Sequence, residues 1–301
     1  MEYESIRELV ERANERNTSI GRLVLADQAE EMDISEEECL MDMDRMLIVM
    51  EESVAEGLDP ELRSTSGLTG GDAYRLWAYT DDKDTTGHPI DDTVLGGFMS
   101  RVVARALAVA EYNAAMGRIV AAPTAGASGI MPGCLVGLLE EKAVPRRTVL
   151  EAMFTAAAFG MVIAKKASLA GASGGCQAEC GSAAGMTAAA IAEALGGTPE
   201  MAETACAMAL KNQLGLVCDP VAGLVEIPCI KRNAAGAAIA CTAADMALAG
   251  IVSRIPADEV IAAMKESGDA LPASLRETGT GGLAATPTGV RIREALFGKN
   301  R

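Results

Sequence analysis

The stretch Cys180-Gly-Ser-Ala-Ala-Gly-Met-Thr-Ala-Ala-Ala-Ile-Ala-Glu-Ala-Leu-Gly-Gly197, followed at once by Thr198-Pro199, decides the fold. Alanine loses no side-chain freedom in a helix and is its best former, so this run predicts a helix. Gly196-Gly197 stops it. Thr198, with Pro199 at the first helical position, opens the next helix, predicted to end at Gly215. Nothing here alternates apolar with polar residues, as a half-buried strand would.

Outward from this run the helical period persists. Pro145 opens a helix to about Lys166, and Asp91/Asp92 precede an apolar-periodic stretch to Met116 that Gly117 stops. Ser35 with Glu38 forms a capping box for a helix to about Glu56, closed by Gly57. A first helix fits Glu2–Asn17, and later ones fit Asn233–Val252 and Pro256–Ser267. The expected fold class is all-α, a compact multi-helix arrangement with Gly-rich loops between helices. Residues 1–301 are expected to form one domain, with 1–63 an acidic N-terminal helical lobe and 64–301 the core. Hydrophobic residues make up 50% of the chain and aromatics only 3%, so the core must be built from small and aliphatic side chains. Small side chains let helices approach closely.

The formal net charge of −16 argues against nucleic acid, whose binding rests on Lys and Arg neutralising phosphates. Residues 1–63 hold 19 Asp/Glu against 6 Arg and no Lys, a solvated face or a docking surface for a partner. The N-terminus alternates charges and reads as no secretory signal. Ile119–Leu139 is the longest uncharged run, but Pro123, Pro132 and four glycines would break a membrane helix. It reads as a buried loop between helices. No membrane is expected, and the location is expected to be cytoplasmic, where eight cysteines serve as ligands or core residues rather than disulfides.

Three loops are rich in Gly, Ser and Thr: Ser64–Gly71, Pro123–Gly129 and Thr278–Gly282. Glycine permits positive φ and close backbone approach, while hydroxyls and free amides offer donors to an anion. The first loop runs directly into a helix predicted at Asp72, so its amides could meet a carboxylate. Together the loops predict a pocket for something small and acidic.

The cysteines sort by context. Cys206 and Cys241 sit in Ala-rich helical stretches, and Cys134 follows Pro132-Gly133 near a helix start; all three read as core. Cys39 follows Glu36-Glu37-Glu38, carboxylates that oppose a thiolate. Cys218 and Cys229 bracket Cys-Asp-Pro-Val-Ala-Gly-Leu-Val-Glu-Ile-Pro-Cys, where Pro220, Gly223 and Pro228 forbid a continuous helix and allow both sulfurs to turn to one point. Lys231 and Arg232 follow and could offset thiolate charge. Cys176 sits on the Gly-rich turn Gly171-Ala-Ser-Gly-Gly-Cys, and Cys180, four residues on, could share its helical face. Spacing alone thus leaves a three- or four-cysteine metal site. Zinc is the rival, although no Cys-x-x-Cys pair of the structural-zinc kind is present.

Pro-Thr-Ala-Gly-Ala-Ser-Gly129, Gly-Gly-Cys-Gln-Ala-Glu179, the Leu-Gly-Leu-Val-Cys218 to Cys229 segment and Arg276-Glu-Thr-Gly-Thr-Gly-Gly-Leu-Ala284 closely resemble the iron–sulfur-dependent L-serine dehydratases, α chain of the two-chain form. The likeness runs in order from about Ser64 to Gly289. It implies a [4Fe–4S] cluster on Cys176, Cys218 and Cys229 with one iron free of protein sulfur; the resemblance, not the spacing, removes Cys180. It also implies L-serine as substrate, dehydration and deamination as the reaction, and a separate β chain as partner within an oligomer. Lys165-Lys166 departs from the family, where an Asn is expected.

Ser66, Thr69, Thr124 and Ser128 are the candidates for holding the substrate's carboxylate and ammonium. No base is assigned. His88, the only histidine, lies in a polar loop and reads as a solvent-exposed spectator, while Lys165 or Lys166 would need burial to serve. The rivals are a related lyase acting on L-cysteine or L-threonine and, from another class, a non-catalytic metal-stabilised or electron-transfer subunit.

Overall fold

The computed structural model describes residues 3–80 and 93–298. Among them the architecture is all-α: α1 (Ile6–Glu15), α2 (Ile20–Met32), α3 (Glu36–Gly57), α4 (Asp72–Tyr79), α5 (Gly96–Ala114), α6 (Ile130–Glu141), α7 (Arg146–Lys166), the single turn α8 (Gly171–Gly174), α9 (Ser182–Ala194), α10 (Pro199–Lys211), α11 (Cys229–Leu248), α12 (Ala257–Ala270) and α13 (Pro287–Phe297). No strand is present among the described residues; one isolated parallel bridge joins Cys218 to Arg276.

The Ala-rich run becomes α9, every residue of which from Ser182 to Ala192 is buried. It packs against α7, α10, α11 and α6. A second bundle surrounds α5, which meets α3, α4, α6 and α11. Helix α11 thus belongs to both, and the cysteine-bearing segments converge beside it. The helices of residues 1–63 share one hydrophobic core with α7, α9 and α10, through Ile6, Leu9, Ile20, Leu23 and Leu47. Helix α7 is long and apolar enough to cross a membrane, and it lies largely buried among the other helices.

Local signals placed several ends. Ser35 and Glu38 make the reciprocal capping box of α3, and the Thr198 hydroxyl accepts from the Met201 amide to open α10. Four other helices begin on carboxylates sent from elsewhere. Asp258 of α12 receives the Ile6 and Arg7 amides of α1 at 2.9 and 3.0 Å, and Glu193 of α9 receives those of Ile20 and Gly21 of α2, both at 2.9 Å. Glu111 of α5 receives the Asp72 and Ala73 amides of α4, and Glu203 of α10 the Ala257 amide of α12. A carboxylate there satisfies orphan amides and meets the positive end of the helix dipole.

The structure corrects two readings. The expected first helix is Ile6–Glu15, and a separate α2 follows after Asn17 turns the chain at φ 49°. Ile119–Leu139 is not all loop: its second half is α6. Pro132 falls in that helix's first turn, where its missing amide costs little. Gly133 is there for contact, since a side chain on it would stand 2.9 Å from the Val102 carbonyl of α5. Two ends also shift, α10 stopping at Lys211 and α11 beginning already at Cys229. His88, Asp91 and Asp92 lie outside the described residues.

Candidate functional site

The site is built around the segment from Cys218 to Cys229. Pro220 and Pro228 keep it out of a long helix; it holds only the short turn Val221–Gly223, with Ala222 at φ 58°. Cys229 is the first residue of α11. Cys176 precedes the π-turn Gln177–Gly181 that leads into α9. Both sulfurs therefore stand at positive helix ends, which favour thiolate. Gly175, at φ 77°, makes the turn into Cys176, and a side chain there would meet the Leu216 carbonyl at 2.8 Å.

All three Gly-rich loops are tied to this segment. The Thr69 hydroxyl of the first donates to Glu226 Oε2 at 2.7 Å. The second is held by Asn233 of α11, a buried hub whose carboxamide accepts from the Gly129 amide and donates to the Gly126 and Cys229 carbonyls. The third is stitched by backbone: the Cys218 amide donates to Leu275 O, the Glu277 amide to Cys218 O, and the Leu283 amide to Asp219 Oδ2 at 2.8 Å.

Cys176, Cys218 and Cys229 are all buried, and each feels the others' charge. Burial, then Cys176, Glu179, Glu277 and Cys229, push the Cys218 thiol far up; burial and Cys176 push that of Cys229 up to about 12, against Arg232. Cys176 alone is held below the usual thiol range, first by its hydrogen-bond contact with Cys180, 3.4 Å away, and then by the Arg232 guanidinium, despite burial. Cys180 is deeper and is raised by the same contact and by burial. Arg232 also donates to the Val217 carbonyl at 2.7 Å and to Asp219 at 2.8 Å, fixing its charge beside the thiols. Lys231 instead turns outward to Asp72.

The other cysteines are elsewhere. Cys206 is fully buried in α10; Cys134 of α6 and Cys241 of α11 face each other at 3.7 Å; Cys39 lies in α3. Lys165 and Lys166 reach Glu4 near the N-terminus with partly exposed side chains. The four hydroxyl candidates divide. Ser128 is fully buried and donates to Ala125 O, and Thr69 donates to Glu226, so neither has a proton to give a ligand. Ser66 accepts from the Leu68 amide and lines a cleft of about 700 Å³ with Asn113, Ala125, Val225, Glu226 and Phe297. Thr124 carries a buried hydroxyl that lies against Glu179 without reaching hydrogen-bond geometry.

Glu179, Asp219, Glu226 and Asn233 are site residues that sequence reasoning did not single out. The first lies inside the quoted stretch Gly-Gly-Cys-Gln-Ala-Glu, and the next two are charges within an otherwise apolar segment, which was the available signal. Glu179 has its pKa raised by burial and by Glu277, while Thr124 works the other way.

The family model described as "Serine dehydratase alpha chain" matches residues 15–284. The chain is 50% identical to the probable L-serine dehydratase, alpha chain, of Bacillus subtilis over 98% of its own length and 96% of that protein's. It is 56% identical to the probable alpha chain of Latilactobacillus sakei over 67% of this chain and 97% of the relative. To the L-serine dehydratase, alpha chain, of Peptoniphilus asaccharolyticus it is 44% identical, covering 95% of this chain and 96% of that one. With the matched region spanning α2 to the third Gly-rich loop, the chain belongs to the serine dehydratase alpha chain family.

Proposed function

We propose that this chain, with a separate β chain, removes water from L-serine, using a [4Fe–4S] cluster held by Cys176, Cys218 and Cys229. The observation that carries the reading is that, in a chain of this family, three buried thiols from separate segments feel one another's charge, two of them beside the fixed Arg232 guanidinium. The donor set suits such a group. Among the described residues no three of His, Cys, Asp or Glu are spaced to grip a single metal ion. Cluster thiols need no such spacing, because each binds a different iron. Each thiol also disfavours its neighbours' ionisation, so three thiolates require a strongly cationic companion, and loading releases protons.

When bound, the cluster supplies an iron without protein sulfur, a Lewis acid for the β-hydroxyl. The chain's residues do the rest. Arg232 offsets thiolate charge, Cys180 stands in hydrogen-bond contact with Cys176, and Asn233 holds the second loop at the mouth of α11. Ser66 and the loop amides offer donors to the substrate carboxylate, while Thr69 and Ser128 keep the loops in shape. Loss of water gives 2-aminoacrylate, whose imine form hydrolyses to pyruvate and ammonia.

The test is anaerobic purification with iron and sulfide analysis and addition of L-serine. About four irons per chain and a spectrum perturbed by L-serine are expected; a redox-inert zinc content would end the reading. Cys218→Ala abolishes pyruvate formation, whereas Cys206→Ala, in the core, keeps most of it. L-Threonine and L-cysteine, followed as 2-oxobutyrate and sulfide, yield less than L-serine yields pyruvate.

A further inference from the structure

Glu179 stands where the three thiol segments and two of the loops meet. A methyl group built on Gly171 would lie 2.9 Å from the Cys218 sulfur, 2.9 Å from Glu179 Oε2 and 3.2 Å from Glu277 Oε2. One built on Gly126, in the second loop, would lie 3.3 Å from Glu179 Oε1, 3.6 Å from Oε2 and 3.4 Å from Val225 Cγ1. The two glycines thus let the backbone close in on one carboxylate from either side, beside a thiol at Gly171, where no side chain would fit, and beside an apolar wall at Gly126, where one would be tight. The π-turn Gln177–Gly181 carries it there. Such a widened turn re-aims one side chain within an otherwise regular helix entry, a feature frequent at functional sites.

Of the other carboxylates around the site, all but Glu277 are already committed. Asp219 is paired with Arg232 and receives the Leu283 amide, Glu226 takes the Thr69 proton, and Glu111 receives the amides of α4. Glu179 has no Lys or Arg beside it among the described residues, and its polar neighbours are the Thr124 hydroxyl and the Glu277 carboxylate. A half-buried carboxylate without a cation is costly unless a ligand provides one. An amino-acid substrate brings such a cation.

We infer that Glu179 takes the α-ammonium of the substrate and makes the enzyme select amino acids over the matching 2-hydroxy acids. Glu277, at the entry to the third loop with its backbone at φ 62°, adds negative charge beside Glu179. The buried Thr124 hydroxyl of the second loop lies against the same carboxylate. The inference rests on the proposed function above and names the residue that sets its substrate class.

The experiment uses the full chain, wild type and Glu179→Gln, purified anaerobically together with its β chain and titrated with L-serine and with L-glycerate, its 2-hydroxy analogue, while the cluster spectrum is followed. Iron content and circular dichroism of the variant are expected to match the wild type. Its apparent affinity for L-serine falls about 100-fold, as when one partner of a desolvated charge pair is lost, while that for L-glycerate changes less than about threefold. Turnover shows the loss mainly in KM. Glu179→Asp, which keeps the charge but draws it back, recovers part of the preference. Equal weakening of both ligands, unchanged affinity for L-serine, or a loss in kcat alone would overturn the assignment. A wild-type chain that holds iron yet ignores L-serine overturns the proposed function itself, and the two failures are read from different samples.

Discussion

Cys180 shows how a single residue's role follows from its neighbours. Its sulfur is 3.4 Å from that of Cys176, close enough to be mistaken for a ligand, yet Arg232 stands beside Cys176 and draws the thiolate there. The same contact, with burial, pushes the Cys180 thiol up. Cys180→Ala therefore retains the full iron complement, whereas Cys176→Ala loses it, measured as iron per chain after anaerobic purification. Removing the buried sulfur costs about 1–2 kcal/mol of stability, read from urea unfolding. Spacing could not separate the two cysteines, because four residues apart along a helix is one shared face. What separates them is the position of Arg232, on a helix that begins far along the chain. Thr69 and Ser128 were attractive by residue type, but sequence does not say where a hydroxyl sends its one proton, and here both protons stay within the protein.

At the scale of elements, helices with caps of their own were legible and helices with borrowed caps were not. Ser35 with Glu38, and Thr198 with Pro199, announce α3 and α10 within four residues of chain. Helix α2 went unseen. Its Ser19 cap is local, but the carboxylate that takes its first two amides comes from Glu193 on α9, which also accepts from Thr155 of α7 at 2.8 Å. Helix α6 was hidden by proline and glycine that serve position and packing rather than a break. Glu193→Ala strands two amides and a hydroxyl in a buried junction and is expected to lower stability by about 3 kcal/mol, seen as a reduced urea midpoint with little change in slope. Ser19→Ala, removing only a local cap, costs about 1 kcal/mol.

For the molecule as a whole, these junctions set a pH dependence. Glu111, Glu193, Glu203 and Glu179 all have pKa values raised, in each case chiefly by burial. A carboxyl whose folded pKa exceeds its unfolded one binds more protons when folded. Its stabilising contribution is complete below the unfolded value and is lost as pH rises through the folded one. Protonation also relieves the net charge of −16. Thermal stability at fixed ionic strength is therefore expected to rise as pH falls from 7.5 toward 6, by about 2–4 °C for each kcal/mol gained. At lower pH, Asp72 and Glu141, whose pKa values are lowered, are protonated and the trend reverses. The acidic first 63 residues read as a lobe from charge alone, because charge reports the solvent face. Their buried face, through Ile6, Leu9, Ile20 and Leu47, belongs to the common core.

The long-reach carboxylates carry one more consequence. Asp258 closes α1 across 252 residues and Glu193 closes α2 across 173. A nascent chain cannot complete the start of α2 until Glu193 has been made, nor that of α1 until Asp258, in its last third, has followed. Cutting the gene after residue 63 should accordingly yield two insoluble pieces rather than two working modules, and co-expression of both halves is the natural way to recover a foldable whole.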